Sequence, residues 1–212
     1  MKIITLLLVA STVAANAQEP QKRTNRFPVG TFHQKNSNIN GISVGLYSGY
    51  EDADRNVHTN GIKLEPIGAG IILPLLPQSP ISEDDAEFEA PTTPPSERIN
   101  GFNLSPAGTA CDCVTNGFSA GYIGQMNRKV NGASISVIMN ITSQHNGAQL
   151  SMFNESYVMN GLQIGIINYS QKARGLQFGL MNKATKLKGL QLGLWNTNQK
   201  RKLPILNWNF RD

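Results

Sequence analysis

The stretch Asn160-Gly-Leu-Gln-Ile-Gly-Ile-Ile-Asn168, then Arg174-Gly-Leu-Gln-Phe-Gly-Leu-Met-Asn182, then Lys188-Gly-Leu-Gln-Leu-Gly-Leu-Trp-Asn196 decides how this chain is read. One nonapeptide recurs three times at an interval of 14 residues. Looser copies precede it. Asn131-Gly-Ala-Ser-Ile-Ser-Val and Asn146-Gly-Ala-Gln-Leu-Ser-Met lie immediately upstream, and earlier copies begin at Asn40, Asn60, Asn100 and Asn116. The key glycines are 41, 61, 101, 117, 132, 147, 161, 175 and 189, and from Gly101 onward they are spaced 16, 15, 15, 14, 14 and 14. Self-similarity at a fixed short period is the signature of a repeat architecture, in which each unit completes its core only by stacking on its neighbours.

Within each copy the pattern has period two. Leu162, Ile164 and Ile166 share one side and Gln163 and Gly165 the other, which is the alternation of a half-buried β-strand. The Asn-Gly pairs are turn chemistry, because both residues tolerate positive φ. Gln171-Lys172 and Thr185-Lys186 read as polar turn tips between strands. No segment shows a helical period, so the expected class is all-β, with one strand motif per 14–16 residues.

A strand every 14–16 residues suits a β-solenoid, with one coil per copy, or an antiparallel meander closed into an outer-membrane β-barrel. The solenoid is favoured. Barrel strands alternate in direction and should repeat at about twice this period. Parallel stacking would also align Asn140, Asn154, Asn168, Asn182 and Asn196, and likewise Gln149, Gln163, Gln177 and Gln191, into mutually bonded amide ladders. The alternation of Leu206, Trp208 and Phe210 with Asn207 and Asn209 speaks for a barrel's last strand, or else for a strand capping the final coil. Aromatic content of 7% is low for two membrane girdles.

The N-terminus reads as a secretory signal peptide. Lys2 gives a positive start, Ile3 to Ala10 is apolar, and Ala15-Asn-Ala17 is a small–x–small cleavage pattern. The chain is thus expected in four parts: the leader at 1–17, an N-terminal β segment at 18–73, a Pro-rich acidic loop at 74–98, and the regular array with its capping strand at 99–212. The loop carries six prolines between Pro74 and Pro95 and the acidic run Glu83 to Glu89, which keeps it out of a sheet interior.

These residues resemble a family of exported bacterial surface-repeat proteins, whose members carry tandem G-[LV]-Q-[IL]-G-[LI]-x-N units behind a signal peptide. The likeness covers most of the mature chain and is tightest at 160–196. Upstream, Glu65, Ser105, Ser136 and Ser151 stand where the motif has glycine. The resemblance implies a place at the cell surface or outer envelope, with the periplasm an alternative. It carries no activity, cofactor or catalytic residue.

The net charge of +5 conceals an acidic segment, Glu51 to Glu97, and a basic one, Arg128 to Asp212, which has eleven bases and two acids. Export argues against nucleic acid as the partner of these bases. They read instead as solubilising charge on a strand-rich surface.

Chemistry-bearing residues are sparse. Cys111 and Cys113, two apart on a strand, are placed to close a local disulfide in an oxidising compartment. His33, His58 and His145 are too far apart in sequence for a ligand or triad spacing. The acids from Glu83 to Glu89 lack the glycine-punctuated spacing of a calcium loop. Trp195, Trp208, Tyr157, Tyr169 and Phe153 could form an aromatic stripe for sugar stacking. The reading is an exported, non-enzymatic β-repeat protein without cofactor, which offers the polar face of Gln149, Gln163, Gln177 and Gln191 to an envelope ligand, glycan or protein. The alternative is an integral outer-membrane barrel, structural or a narrow pore.

Overall fold

Glycine stacked on glycine sets the architecture. In a computed structural model, which describes residues 22–49, 55–75 and 93–211, Gly41, Gly61, Gly101, Gly117, Gly132, Gly147, Gly161, Gly175 and Gly189 pair in register across nine successive strands. These strands are β3 (Ser37–Val44), β4 (Val57–Leu64), β5 (Glu97–Ser105), β6 (Ala110–Gly121), β7 (Gly124–Ile135), β8 (Met139–Leu150), β9 (Phe153–Ile164), β10 (Ile167–Phe178) and β11 (Met181–Thr197). Every pairing among them is parallel. The chain is a parallel β-solenoid of about 10 turns, not a barrel.

Both ends are closed by irregular pieces. At the start, β1 (Thr24–Arg26) and β2 (Val29–Gly30) both pair with β3, as an incomplete first coil. Phe32 follows them and is fully buried against Ile39 and Val57. At the other end, β12 (Lys202–Asn209) reverses direction and pairs antiparallel with β11. The C-terminal alternation of Leu206 and Trp208 with Asn207 is therefore a cap on the last coil. Asn198, Asn207 and Asn209 bond inward from it, Asn209 reaching the carbonyl of Leu187 at 2.8 Å.

The structure departs from the sequence reading along the chain. Gln171-Lys172 and Thr185-Lys186 are not turn tips. They lie within β10 and β11, where the ladder skips Gln171 and Thr185 and the coil bends without leaving the sheet. A short 3-10 helix, Ala69–Leu75, stands where strand was expected, and Gly70 N–H donates to the carbonyl of Gly108 at 2.8 Å. The array also begins at Glu97, inside the span read as loop. The leader at 1–17 and the acidic run Glu83 to Glu89 lie outside the described residues.

The Asn-Gly pairs sit within strands rather than at hairpin turns. Each key glycine has φ between +130° and +156°, a region open to almost no other residue. A Cβ on Gly161 would also lie 2.1 Å from the carbonyl oxygen of Gly147. Beside the glycines an outer asparagine ladder climbs one coil at a time, from Asn60 onto Asn40 at 2.8 Å up to Asn160 onto Asn146 at 2.7 Å. The glycine should matter far more than its neighbour. Gly161→Ala is expected to destabilise the fold by about 3 kcal/mol or more, whereas Asn160→Ala should cost about 1 kcal/mol or less. Chemical denaturation of both variants checks this, and similar losses would contradict it.

Candidate binding surface

The direction in which each side chain points is the decisive feature, and it reverses the expected facing. Gln149, Gln163, Gln177 and Gln191 are buried inside the solenoid. They do form the anticipated ladder. Gln163, Gln177 and Gln191 each donate through Nε2 to the Oε1 of the glutamine one coil earlier, at 2.9, 2.7 and 2.7 Å. Ser156 and Ser170 donate to the Oε1 atoms of Gln149 and Gln163. As a face offered to a ligand, these four glutamines are ruled out by their burial.

A second interior ladder runs the opposite way. Asn154 donates to Asn168, Asn168 to Asn182 and Asn182 to Asn196, at 2.9, 2.8 and 2.8 Å. The same Nδ2 atoms of Asn154, Asn168 and Asn182 brace the corner of the coil by donating to the carbonyls of Ile164, Phe178 and Leu192. This bracing dictates the facing. At Gly165 a Cβ would meet the Ser151 carbonyl oxygen at 2.2 Å and the Asn154 amide at 2.6 Å, so the inner side of this corner admits only glycine, whereas Ser105, Ser136, Ser151 and Glu65 take the same inward position in earlier coils. Gln163 shares Gly165's side by the period of two, and Leu162, Ile164 and Ile166 must therefore point out.

Three outward columns result, at one, three and five residues beyond each key glycine. They run from Ile42 to Leu190, from Val44 to Leu192 and from Leu46 to Leu194, and every position in all nine coils is apolar. None of these side chains is buried, and Leu194 reaches 68% exposure. Leu206 and Trp208 of the cap extend the face by one strand, opposite Leu192 and Leu190. The apolar character turns the corner as well, because Tyr47, Ile67, Met181 and Trp195 stand exposed one residue further along. Between the second and third columns lies a furrow over the backbone of the corner. Its three hollows run end to end, with Ile135 lining both the first and second and Phe178 both the second and third. At about 4.8 Å per coil the face is about 40 Å long and about 15 Å wide, roughly 600 Å², at the upper limit of what a soluble monomer leaves in water.

Away from the three columns the late coils are cationic. Lys172 packs on the Tyr157 ring at 4.9 Å and Lys183 on the Tyr169 ring at 4.9 Å. Tyr157 is buried, and the five aromatics Phe153, Tyr157, Tyr169, Trp195 and Trp208 do not line up as one stripe. Arg174 and Lys188 succeed the outer asparagines and so border the apolar face.

The remaining candidates have structural places. Cys111 and Cys113 are bridged and buried, and Asp112 between them points outward to Arg128, with Nη2 and Oδ2 at 2.6 Å. The three histidines lie in separate coils. Burial, followed by the charges of Arg23 and Arg98, lowers the pKa of His58. Among the described residues no group of three or more His, Cys, Asp or Glu could hold a metal ion.

Sequence reasoning missed a buried ion network in the early coils. Lys63 bonds Glu97 at 2.8 Å and Ser48 at 2.7 Å, lies 3.8 Å from Glu65, and has the Phe32 ring 4.5 Å away. Arg55 approaches Glu97 at 3.6 Å. The signal was present, since Lys63 occupies the glutamine position of its copy and Glu65 the inner glycine position. Both are inward positions once the facing is known. Removing one partner from such a cluster would strand a buried charge, which makes it a structural element.

No protein-family model, curated protein or solved structure matches the chain.

His145 provides a direct check on the interior. Burial is the main cause that lowers its pKa from 6.5 to about 4, against a smaller opposing effect of the Ala148 and Gly132 backbone. Between these two values the unfolded chain holds a proton that the folded one does not. This contribution to stability is therefore complete above pH 6.5 and declines as the pH falls toward 4, by about 3 kcal/mol. Met159 occupies the same inward position one coil later. His145→Met is expected to flatten the acid side of the stability–pH curve, and a curve parallel to the wild type would contradict the buried neutral imidazole.

Proposed function

We propose that this is an exported, non-enzymatic protein of the bacterial envelope whose solenoid presents a binding surface, and that the surface is the apolar face. One observation carries the reading: three outward columns stay apolar through nine coils while the amides face inward. Burying apolar side chains is the main favourable term in folding, and this fold leaves its most regular apolar array outside. An array of that extent belongs against something other than water. The leader at Met1 to Ala17 and the likeness to exported surface-repeat proteins support the envelope as the place. The bridged Cys111–Cys113 pair accords with an oxidising compartment. Stacked coils need no catalytic centre to offer an extended surface, as repeat proteins commonly do.

Fractionation of producing cells tests this. The mature chain should begin at Gln18 and stay with washed envelopes. The double variant Ile166→Lys/Leu180→Lys changes only outward side chains and should move to the soluble fraction with unaltered circular dichroism. A chain that keeps its leader in the cytoplasm, or a variant that partitions as the wild type does, would count against the proposal.

A further inference from the structure

The partner of the apolar face is the remaining question, and a lipid surface and a second copy of the chain are the two candidates. We infer that the face docks on an anionic lipid surface, lying flat, with acyl chains lodged in the axial furrow. This rests on the face being a binding surface, as proposed above.

Shape favours lipid over a second copy. The apolar band is not a single plane. It continues round the corner through Tyr47, Ile67, Met181 and Trp195, so a rigid, self-complementary partner would cover only part of it. The relief also disfavours self-pairing. Ala120, Ala133 and Ala148 make the middle coils shallow, and a two-fold pairing centred there would set hollow against hollow. Fluid chains fill such relief without a fixed counterpart. The furrow has the form of a chain site: Phe178 and Leu192 wall it on one side, Leu180 and Leu194 on the other, above the backbone of Gly179 and Gly193.

Charge points the same way. From Arg128 to Arg211 the described chain holds eleven bases and one acid, Glu155. Arg174 and Lys188 stand on the rim of the face, where headgroup phosphates would lie, and Lys183 follows the apolar corner on the other side. Lys172 and Lys186 precede Arg174 and Lys188 by two residues in the same strands and extend the cationic border, so the solenoid lies in the interface as an amphipathic body. The two tryptophans, Trp195 and Trp208, sit on the apolar side, half-exposed, where interfacial aromatics belong.

The test uses the chain from Gln18, which contains every described residue. It is mixed with vesicles of equal parts phosphatidylcholine and phosphatidylglycerol, and with phosphatidylcholine alone. The protein is expected to sediment with the anionic vesicles, more weakly at high salt. Trp195 and Trp208 emission should shift to the blue and be quenched by brominated acyl chains. Ile166→Lys/Leu180→Lys should weaken partitioning at least about ten-fold at unchanged circular dichroism, since 1.4 kcal/mol suffices for that factor. These side chains are already 39% and 51% exposed, so the variant keeps its fold. Leu194→Lys provides an independent second variant. Vesicle binding that ignores these variants would overturn the inference. So would a failure to bind vesicles accompanied by a dimer in light scattering that the variant splits, which would seat a second copy on the face and leave the binding-surface reading intact. A monomer that binds no vesicles, and whose variant partitions normally in cells, would remove both.

Discussion

Identical residues placed about 4.8 Å apart hold this molecule together. Parallel, in-register stacking lets each amide donate to the same amide one coil away: an outer asparagine ladder climbs from Asn40 to Asn160, and two interior ladders run through the last four coils. The two interior ladders run in opposite senses, glutamines donating toward the N-terminus and asparagines toward the C-terminus. A buried amide without a partner is costly, whereas a ladder supplies one to every member except those at its ends. The interior is therefore polar yet largely satisfied, an arrangement that depends on strict register.

The glycine columns follow from the same constraint. Coils can stack this closely at the outer column only if nothing projects from the backbone there, and the inner corner glycines leave space for the bracing asparagines. Where the ladder ends, other chemistry takes its place. Toward the N-terminus the glutamine position passes through serine and asparagine to Lys63, and the interior is filled by the Lys63–Glu97–Glu65–Arg55 network beneath Phe32. Toward the C-terminus the antiparallel cap closes the last coil with Asn207 and Asn209.

Beyond each key glycine the interior positions of the late coils are amides, although Ile39, Ile99, Val130, Met159 and Leu187 are buried on the other side of it. The aliphatic side chains alternating with those amides are left outside, so structure and proposed function share one cause. The furrow, the apolar corner and the rim of Arg174 and Lys188 all arise from which positions of the repeat the coil turns inward. Small residues in the middle coils alter the relief of the face without disturbing the interior, because face and ladder use alternate positions.

The sequence by itself determined the repeat, its period and the all-β class, and it favoured parallel stacking, in which copies share one consensus and Gln149 aligns with Gln163, Gln177 and Gln191, over an antiparallel barrel that the structure then excluded. It also contained the pairing of Cys111 with Cys113. Facing was decided by tertiary structure. A period of two separates Leu162 from Gln163 but does not say which is inside, and the usual preference for apolar cores gives the opposite answer. The close approach at Gly165, with Asn154 bonded across the corner, turns the glutamine side inward. Tertiary structure likewise decided that Lys63, Glu65, Arg55 and Glu97 meet, because residues up to 42 apart in sequence become neighbours only when the coils stack.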